Sequence, residues 1–410
     1  MSNAICIVGR QPNLGTAELE SLYGSDNIKK LGTQAVLIKQ DAQTIDFQRL
    51  GGSTRLCKHL HTIPSVQWQA IVQHLHAHLP AYVAELPEGK IKFGLSLIGT
   101  GAQSRTINQT GLDCKKIIKN LGRSVRVVPN NSTELNTAQV LHNQLTGPTG
   151  LEIVLIQHNG VTEVAQTVAV QDIEAYAARD QRRPKRDARV GMLPPKLAQI
   201  IINLATGKIT ERGLETEENK GDSPEIKTSI VLDPFCGTGV MLQEALLMGY
   251  RVIGADLEPR MVEYSQTNLE WLPQSHASYQ LTAADYQLAV GDATTHTWEQ
   301  FNIVACETYL GRPLSTLPNP ETIREIMQDC DTIHRKFLQN LAKQTSPGFR
   351  ACIAVPAWKS KNGFLHLKTL DNLESLGYNR VSFAHVRTND LLYFRPDQIV
   401  ARELVIIQRK

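Results

Sequence analysis

The sequence lacks the long apolar segments that membrane-spanning helices need. No run of about 18 apolar residues occurs in its 410 residues, and the N-terminus shows no basic segment followed by an apolar one. The proportions of hydrophobic residues (41%) and charged residues (20%) are ordinary, which excludes fibrous and wholly disordered classes. The length predicts two or three domains. We therefore expect a soluble, cytoplasmic protein that makes no membrane contact.

Paired cysteine motifs are also missing. The seven cysteines are odd in number, widely scattered and without a Cys-x-x-Cys pair. This pattern is typical of reduced thiols inside cells, and it argues against a disulfide framework or a zinc site. His74 and His78 lie one helical turn apart, as a metal pair would, but the sequence offers them no third ligand. We expect a surface helix there and no metal.

Net charge is small, at +3, but positive charge is concentrated in two stretches. Residues 90–126 carry eight basic side chains against one acid, and residues 179–189 carry six against two. Such clusters suit a surface that follows nucleic-acid phosphates, because each neutralised phosphate releases counterions. A merely solvated face is the alternative. The candidate RNA-contacting residues are Lys115, Lys116, Lys119, Arg123, Arg182, Arg183, Lys185 and Arg186.

Apolar runs and turn residues divide the first half of the chain into two α+β regions. Residues 1–60 form the first, with a helix that Thr16 opens and in which Glu18 and Glu20 lie near the positive end of the helix dipole. Residues 61–175 form the second, and its helices can be buried only against one face of a sheet.

The pattern of the second half of the chain predicts a doubly wound sheet. A helix starts at Pro194-Pro195, and the polar segment 206–229 after it is expected to be a linker. From residue 230 onward strands alternate with helices, which predicts a parallel α/β sheet that binds ligands at the carboxyl ends of its strands. Apolar runs at 390–394 and 402–408 predict an antiparallel pair of strands.

A glycine turn follows the first strand of this sheet. It reads Asp233-Pro-Phe-Cys-Gly-Thr-Gly239, and its two glycines permit a tight turn and close approach of the backbone to a ligand. The third glycine of a dinucleotide-binding fingerprint is missing. An acid at the start of the turn repels a pyrophosphate but can hold an amino group. Cys236 within the turn is expected to pack rather than to act as a nucleophile.

Two further acids end the next two strands. Asp256 can accept both hydroxyls of a ribose, and Asp292 lies where a nucleobase edge would be. One such acid could be a helix N-cap, but three at successive strand ends favour a pocket for S-adenosylmethionine. The candidate cofactor-binding residues are Asp233, Phe235, Cys236, Gly237, Thr238, Gly239, Asp256, Leu257, Asp292 and Ala293.

The fourth strand ends where the transferred methyl group would meet its acceptor. Exocyclic amines of bases are weak nucleophiles, so an acid that accepts their hydrogens and a ring that clamps the base would aid attack. Glu307 and Tyr309 are the candidate catalytic residues. The alternative is that Glu307 caps a helix and Tyr309 packs in the core.

These motifs resemble the THUMP-domain tRNA guanine-N2 methyltransferases of the guanosine-10 type. The resemblance rests on the 233–239 turn, the helix entry at 191–199, Arg179-Asp180, and the terminal strands with 391–395 and Arg402-Glu403. It is strongest over about residues 175–410. It implies a ferredoxin-like domain (1–60), a THUMP domain that grips the tRNA acceptor end (61–175), a connecting helix and flexible linker (176–229) and a Rossmann-like class I methyltransferase domain (230–410).

The resemblance also implies S-adenosylmethionine as cofactor and tRNA as partner, and it allows a small activator subunit. Glu307 and Tyr309 would then fall in the family's base-amine motif. There the family has Asp-Pro-Pro-Tyr, whereas this chain has Glu-Thr-Tyr-Leu, without the prolines that stiffen the loop. Three hypotheses remain open: a tRNA guanine-N2 methyltransferase, a DNA or ribosomal RNA amino-methyltransferase, and a catalytically silent RNA-binding protein that keeps the cofactor pocket.

Overall fold

The computed structural model describes residues 3–99, 102–187, 192–207, 229–275, 281–282, 284–314, 316, 318–361, 363–396 and 398–410. Most of the predicted linker, residues 208–228, lies outside them. The chain divides into two compact units. The first comprises Met1–Thr16, Ser25–Gln48 and Gly52–Ile173; the second comprises Ala17–Gly24, Arg49–Gly51 and Glu174–Lys410.

The first unit is built on one eight-stranded sheet in the order β2-β3-β1-β4-β8-β7-β5-β6. Its strands are β1 (Ala4–Val8), β2 (Ile28–Leu31), β3 (Ala35–Ile38), β4 (Ser53–Ile63), β5 (Ile91–Ile98), β6 (Val125–Val127), β7 (Gly150–His158) and β8 (Val161–Val170). Its helices are α2 (Trp68–Ala84), α3 (Ser104–Asn120) and α4 (Thr137–His142), while α1 (Pro12–Tyr23) runs from the first unit into the second. β5 pairs in parallel with β6 and β7, and the other neighbours pair antiparallel.

The helices α2 and α3 cover one face of this sheet, as the apolar pattern predicts. Leu151, Ile153 and Leu155 of β7 share a core with residues of both helices. Val154 and Ile156 belong to a different apolar cluster, because successive side chains of a strand point to opposite faces.

The boundary predicted at residue 60 falls inside β4. This strand pairs with β1 on one side and with β8 on the other, so the two predicted α+β regions share one sheet. The sequence of β4 carries no clear strand pattern, because Lys58, His59 and His61 interrupt its apolar alternation.

The helix predicted to open at Thr16 begins at Pro12, and its two acids have a different role from the one expected. Glu18 is fully buried and accepts hydrogen bonds from the Gly51 N–H (3.0 Å) and from Asn203 Nδ2 (2.7 Å). Glu20 accepts from two backbone N–H groups at residues 384 and 385. Both carboxylates therefore anchor the end of α1 within the second unit instead of serving the helix dipole.

The second unit contains a sheet with the main order β11-β10-β9-β12-β13-β17-β15. Its strands are β9 (Ile230–Asp233), β10 (Arg251–Asp256), β11 (Tyr286–Val290), β12 (Ile303–Glu307), β13 (Arg350–Ser360), β14 (Gly363–Leu365), β15 (Tyr378–Arg380), β16 (Leu392–Tyr393) and β17 (Val400–Arg409). Its helices are α5 (Ile173–Ala177), α6 (Pro195–Thr206), α7 (Val240–Leu247), α8 (Pro259–Ser275) and α9 (Pro320–Gln344), and a π-helical turn spans Ala178–Arg182.

The strands from β11 to β13 run parallel, and β17 is antiparallel to β13, β15 and the predicted partner β16. The strand order reverses at β9, because β10 lies on one side of it and β12 on the other. Ligands of doubly wound sheets bind at the carboxyl ends of the strands beside such a reversal. The fold therefore places the site where β9, β10 and β12 end.

The histidines of α2 are not arranged as a metal site. His74, expected on a surface helix, is only 7% exposed, and its ring stacks on those of His78 (4.0 Å between centroids) and His61 (4.6 Å). Within the described ranges, no group of three or more His, Cys, Asp or Glu side chains could hold a metal ion.

All seven cysteines are buried free thiols. In the part of the chain that the structure covers, no helix is both long and apolar enough to cross a membrane.

Candidate active site

The glycine turn between β9 and α7 is held by backbone hydrogen bonds. The Cys236 N–H donates to the Ala255 carbonyl (2.9 Å), and the Gly239 N–H donates to the Cys236 carbonyl (2.8 Å). Gly237 and Gly239 adopt φ values of +51° and +81°, which glycine reaches without strain. Burial raises the pKa of the Cys236 thiol well above its ordinary value, so this thiol packs and is not primed as a nucleophile.

Two side chains of α8 donate hydrogen bonds to backbone carbonyls of the glycine turn. Ser265 Oγ donates to the Gly237 carbonyl (2.9 Å), and Asn268 Nδ2 donates to the Thr238 carbonyl (2.8 Å). Asn268 also pairs with both backbone groups of Lys185, at 2.9 Å each. Sequence reasoning missed both residues, since a Ser and an Asn within an amphipathic helix carry no signal of this contact.

Asp233 ends β9 as a nearly buried carboxylate, 3% exposed. It accepts a hydrogen bond from the Phe235 N–H (3.1 Å). Burial raises its pKa well above the ordinary value, and the nearby carboxylates of Asp256 and Glu307 add to the increase. A ligand ammonium beside it would supply the missing positive charge, which fits an amino-acid end of a cofactor.

Asp256 ends β10 with its orientation fixed by the backbone. The Gly237 N–H donates to Oδ2 (2.9 Å) and the Glu258 N–H donates to Oδ1 (3.0 Å). Each oxygen keeps a second lone pair, so the carboxylate can still accept two hydroxyl groups. Burial raises the pKa of this carboxyl group. The arrangement fits the predicted contact with a ribose.

The ends of β10 and β11 carry the residues predicted to surround the adenine. Leu257 follows the end of β10, and Asp292 and Ala293 follow β11. Asp292 is exposed, and its Oδ1 accepts from the N–H and the hydroxyl of Thr294, both at 2.8 Å. Ala293 is buried, whereas Leu257 is 67% exposed. An exposed apolar side chain beside a strand end is available to cover an adenine ring, and Oδ2 of Asp292 could accept from its amine.

Glu307 ends β12 and is paired with a cation. Its Oε1 accepts from Nε of Arg402, a residue of β17 that is 5% exposed. Sequence reasoning named Arg402 only as part of a strand, so this pairing was missed. Tyr309, two residues later, is 41% exposed, which is inconsistent with a core position and leaves its ring free to contact a ligand.

Thr308 anchors the loop between these two residues. Its N–H donates to the Ala354 carbonyl (3.0 Å), and its hydroxyl lies 2.6 Å from Nε2 of His334. Burial lowers the pKa of His334 to about 4, so the ring is neutral near pH 7. His334 Nδ1 lies 2.6 Å from the Cys330 carbonyl, which makes Nδ1 the donor, and the single hydrogen of the Thr308 hydroxyl has two acceptors, His334 Nε2 and the Ala354 carbonyl (2.9 Å).

The predicted RNA-contacting residues of the first unit lie on α3 and just after it. Lys116 and Lys119 are exposed and Lys115 is half-buried; Lys116 pairs with Asp113 at 2.9 Å. Arg123 donates to three backbone carbonyls, at residues 86, 87 and 89, and so ties down a loop. A separate pocket of about 260 Å³ is lined by Lys90, Lys92, Arg126, Val128, His142, Asn143 and Gln144.

The predicted RNA-contacting residues of the second unit differ from one another in exposure. Arg182 and Arg186 are exposed, and Lys185 Nζ lies 5.3 Å from the centroid of the Tyr264 ring. Arg183 is only 3% exposed, and none of its guanidinium nitrogens has a hydrogen-bond partner among the residues described. Its burial is inconsistent with a surface contact.

A buried ion pair anchors the π-helical turn at Ala178–Arg182. Arg179 donates to both oxygens of Glu244 in α7, at 2.6 and 3.2 Å, and Glu244 is fully buried. Because α7 begins at the glycine turn, the bidentate pair fixes the connecting segment to the helix that carries the turn.

Part of the chain matches a methylase family model, and relatives of the chain are named tRNA methyltransferases. A family model described as DNA methylase matches residues 172–267. The tRNA (guanine(10)-N2)-dimethyltransferase of Methanothermobacter thermautotrophicus is 30% identical over 167 residues, which are 40% of this chain and 39% of that protein. The protein of the same name from Pyrococcus abyssi is 24% identical over 310 residues, 72% of this chain and 79% of that protein.

The crystal structure of TrmN from Thermus thermophilus matches the whole length of both chains, with a TM-score of 0.52 and 13% identity. This likeness confirms the predicted Rossmann-like class I methyltransferase fold, whereas the ferredoxin-like and THUMP domains stay predictions. Both relatives, from Methanothermobacter and Pyrococcus, are named tRNA (guanine(10)-N2)-dimethyltransferase. The match to the Methanothermobacter protein spans about two fifths of that relative, 39%.

Proposed function

We propose that the chain is an S-adenosylmethionine-dependent methyltransferase that methylates the exocyclic N2 amine of a guanine in tRNA. The observation that carries this proposal is the arrangement at one sheet edge. Asp233 and Asp256 end β9 and β10 beside the glycine turn, Asp292 follows β11, and Glu307 ends β12 on the other side of β9. The names of the homologues support tRNA and the N2 amine as the target.

The residues of the turn and the strand ends would hold the cofactor. Asp233 would bind its ammonium group, the turn from Phe235 to Gly239 would lie along its methionine portion, and Asp256 would accept the ribose hydroxyls. Asp292, Ala293 and Leu257 would surround the adenine. The cofactor supplies a methyl group on a sulfonium, and the protein holds the acceptor nitrogen in line with it.

Glu307 and Tyr309 would handle the acceptor base. The amine lone pair is delocalised into the guanine ring, and a carboxylate oxygen that accepts an N–H hydrogen bond makes the nitrogen a better nucleophile. The exposed ring of Tyr309 would stack on the base and hold it in place. The cofactor would leave as a neutral thioether, and the methylated nitrogen would lose its extra proton to the Glu307 carboxylate or to water.

We further propose that the first unit is the RNA-binding part and includes the THUMP domain that the sequence resembles. The pocket between β5, β6 and the end of α4 supports this, since three cationic side chains line a concave space large enough for a phosphate group. The exposed lysines of α3 offer a second basic surface.

A DNA amino-methyltransferase is the second candidate. It is favoured by the DNA methylase family model that matches residues 172–267. This region includes the glycine turn and Asp256, which hold the cofactor and do not choose the acceptor.

The test is incubation of the purified full chain with methyl-labelled S-adenosylmethionine and, separately, unmodified tRNA, ribosomal RNA and DNA. Labelled nucleosides are then identified by mass spectrometry. We expect N2-methylated guanosine from tRNA. Label in DNA alone would establish the second candidate, and no label in any acceptor with cofactor binding intact would indicate an RNA-binding protein without catalysis.

A further inference from the structure

The Glu307 carboxylate is reached by Arg402 across an intervening strand. Glu307 of β12 is level with Ala354 of β13, and Arg402 of β17 is level with Pro356. Ala354 and Pro356 are two residues apart, so they share a face of the sheet with both charged residues. β12 and β17 lie roughly 10 Å apart, two strand spacings, and the small alanine side chain between them leaves room for a long Arg and a Glu to meet.

The pair is largely buried and uses only part of the carboxylate. The side chain of Arg402 is 6% exposed and that of Glu307 is 16% exposed. Arg402 Nε donates to Oε1, which leaves Oε2 with both lone pairs for another donor. Thr308, the next residue, points to the opposite face, where it contacts His334. Glu307 is therefore held at its backbone by its neighbour and at one oxygen by Arg402.

We propose that Arg402 is a positioning residue for methyl transfer, which fixes one oxygen of Glu307 so that the other accepts a hydrogen bond from the amine being methylated. This inference rests on the proposed function. Arg402 holds the Glu307 side chain in one rotamer without touching the base, and the Thr308–His334 contact holds the backbone. Together they give the Glu-Thr-Tyr-Leu loop the rigidity that prolines give related loops.

The matched control lies one residue along the same strand. Glu403 is 1% exposed, points to the other face of the sheet, and accepts from Arg380 at 2.7 Å. Arg380→Lys therefore weakens a partly buried ion pair between β15 and β17 without involving the site, and Glu403 keeps His366 as a second partner. If the role of Arg402 is merely structural, Arg402→Lys and Arg380→Lys should act alike.

The experiment measures kcat, KM for tRNA, the cofactor dissociation constant and the thermal unfolding midpoint. The single variants are Arg402→Lys, Arg380→Lys, Glu307→Gln and Arg402→Ala, and the double variant combines Arg402→Ala with Glu307→Gln. We expect Arg402→Lys to lower kcat at least tenfold and Arg402→Ala about 100-fold, with KM and cofactor affinity within about threefold of wild type. The double variant should be no slower than Glu307→Gln, because Arg402 acts only through that carboxylate. Guanidinium ion added to Arg402→Ala should restore part of the rate.

Three outcomes overturn the proposal. They are a kcat for Arg402→Lys equal to that of Arg380→Lys, multiplicative losses in the double variant, and a loss of cofactor affinity equal to the loss of rate. Any of these, with an active wild type, rejects the role of Arg402 and leaves the proposed function standing. A wild type that methylates none of the nucleic acids rejects both.

Discussion

At the residue scale, Asp233 is the residue proposed to bind the ammonium group of the cofactor, and its surroundings disfavour its charged form. Its carboxylate is buried, accepts one backbone hydrogen bond and is close enough to Asp256 and Glu307 to be affected by their charges. Burial and the two nearby carboxylates raise the pKa of Asp233, whereas the backbone hydrogen bond lowers it. A positively charged ligand group reverses the balance, because it favours the ionised form.

Cofactor affinity should therefore depend on pH through Asp233. At pH values below its raised pKa the free protein holds a proton that an ammonium ligand must displace, so the dissociation constant of S-adenosylmethionine should fall as pH rises towards that pKa and level off above it. Calorimetric titration at several pH values measures this. In Asp233→Asn the affinity should be lower and flat with pH; an equally steep pH dependence in that variant would contradict the assignment.

Gly239 is the position of the turn at which a side chain should be most harmful. Its φ is +81°, and a Cβ there would lie 2.9 Å from Ser265 Oγ, the group that holds the Gly237 carbonyl. Gly239→Ala should weaken cofactor binding tenfold or more, from backbone strain of about 1–2 kcal/mol and from displacement of Ser265. Gly249→Ala is the control, since its φ is +93° with open space around it, and it should keep wild-type cofactor affinity.

At the scale of elements, two basic surfaces of the first unit are candidates for the contact with RNA. The lysines of α3 lie on a convex helix, and Lys116 is paired with an acid. Lys92 and Arg126 belong to adjacent parallel strands and line a concave pocket together with Lys90 and the end of α4. A phosphate in the pocket would contact several cations at once.

Replacing Lys92 and Arg126 by alanine should weaken tRNA binding more than replacing Lys116 and Lys119. It should also lower the slope of log affinity against log salt by roughly 0.7–0.9 for each phosphate that the protein no longer neutralises. Filter binding at several salt concentrations measures both quantities. Equal losses of affinity in the two double variants would show that the pocket has no special role, and a larger loss in the α3 variant would place the RNA contact on that helix.

The whole molecule should become less stable as pH falls from about 6.5 towards 4. His334 is buried with its pKa lowered to about 4, and His74 in the first unit has its pKa lowered to about 4 by burial and by the neighbouring His78 and His61. Unfolded histidines take up protons near pH 6.5, before the folded ones do. Their contribution to stability is therefore complete above pH 6.5 and is lost as pH falls, by up to roughly 3 kcal/mol for His334.

Thermal unfolding between pH 7 and pH 4.5 tests this expectation. His334→Gln should unfold at a lower temperature than wild type at pH 7, because the contact with Thr308 is weakened, but its midpoint should change less with pH. His76→Gln, at an exposed position of α2, should follow wild type throughout. Parallel curves for His334→Gln and wild type would show that this ring does not drive the acid sensitivity.

The sequence by itself determined the alternation of strands and helices, the glycine turn and the three acids at strand ends. These are local signals, because strand ends and turns are set by residues adjacent in the chain. The doubly wound sheet and its final antiparallel pair follow from the same local signals, and the structure has them.

Only the tertiary structure decided which distant residues support the site. Arg402 meets Glu307 across β13, Ser265 and Asn268 reach the turn from α8, and β4 joins the two predicted α+β regions into one sheet. Each contact links residues separated by tens of positions or more, and a polar side chain looks the same in sequence whether it faces solvent or a buried partner. Such pairs are fixed by strand order and packing, so no pattern along the chain could identify them.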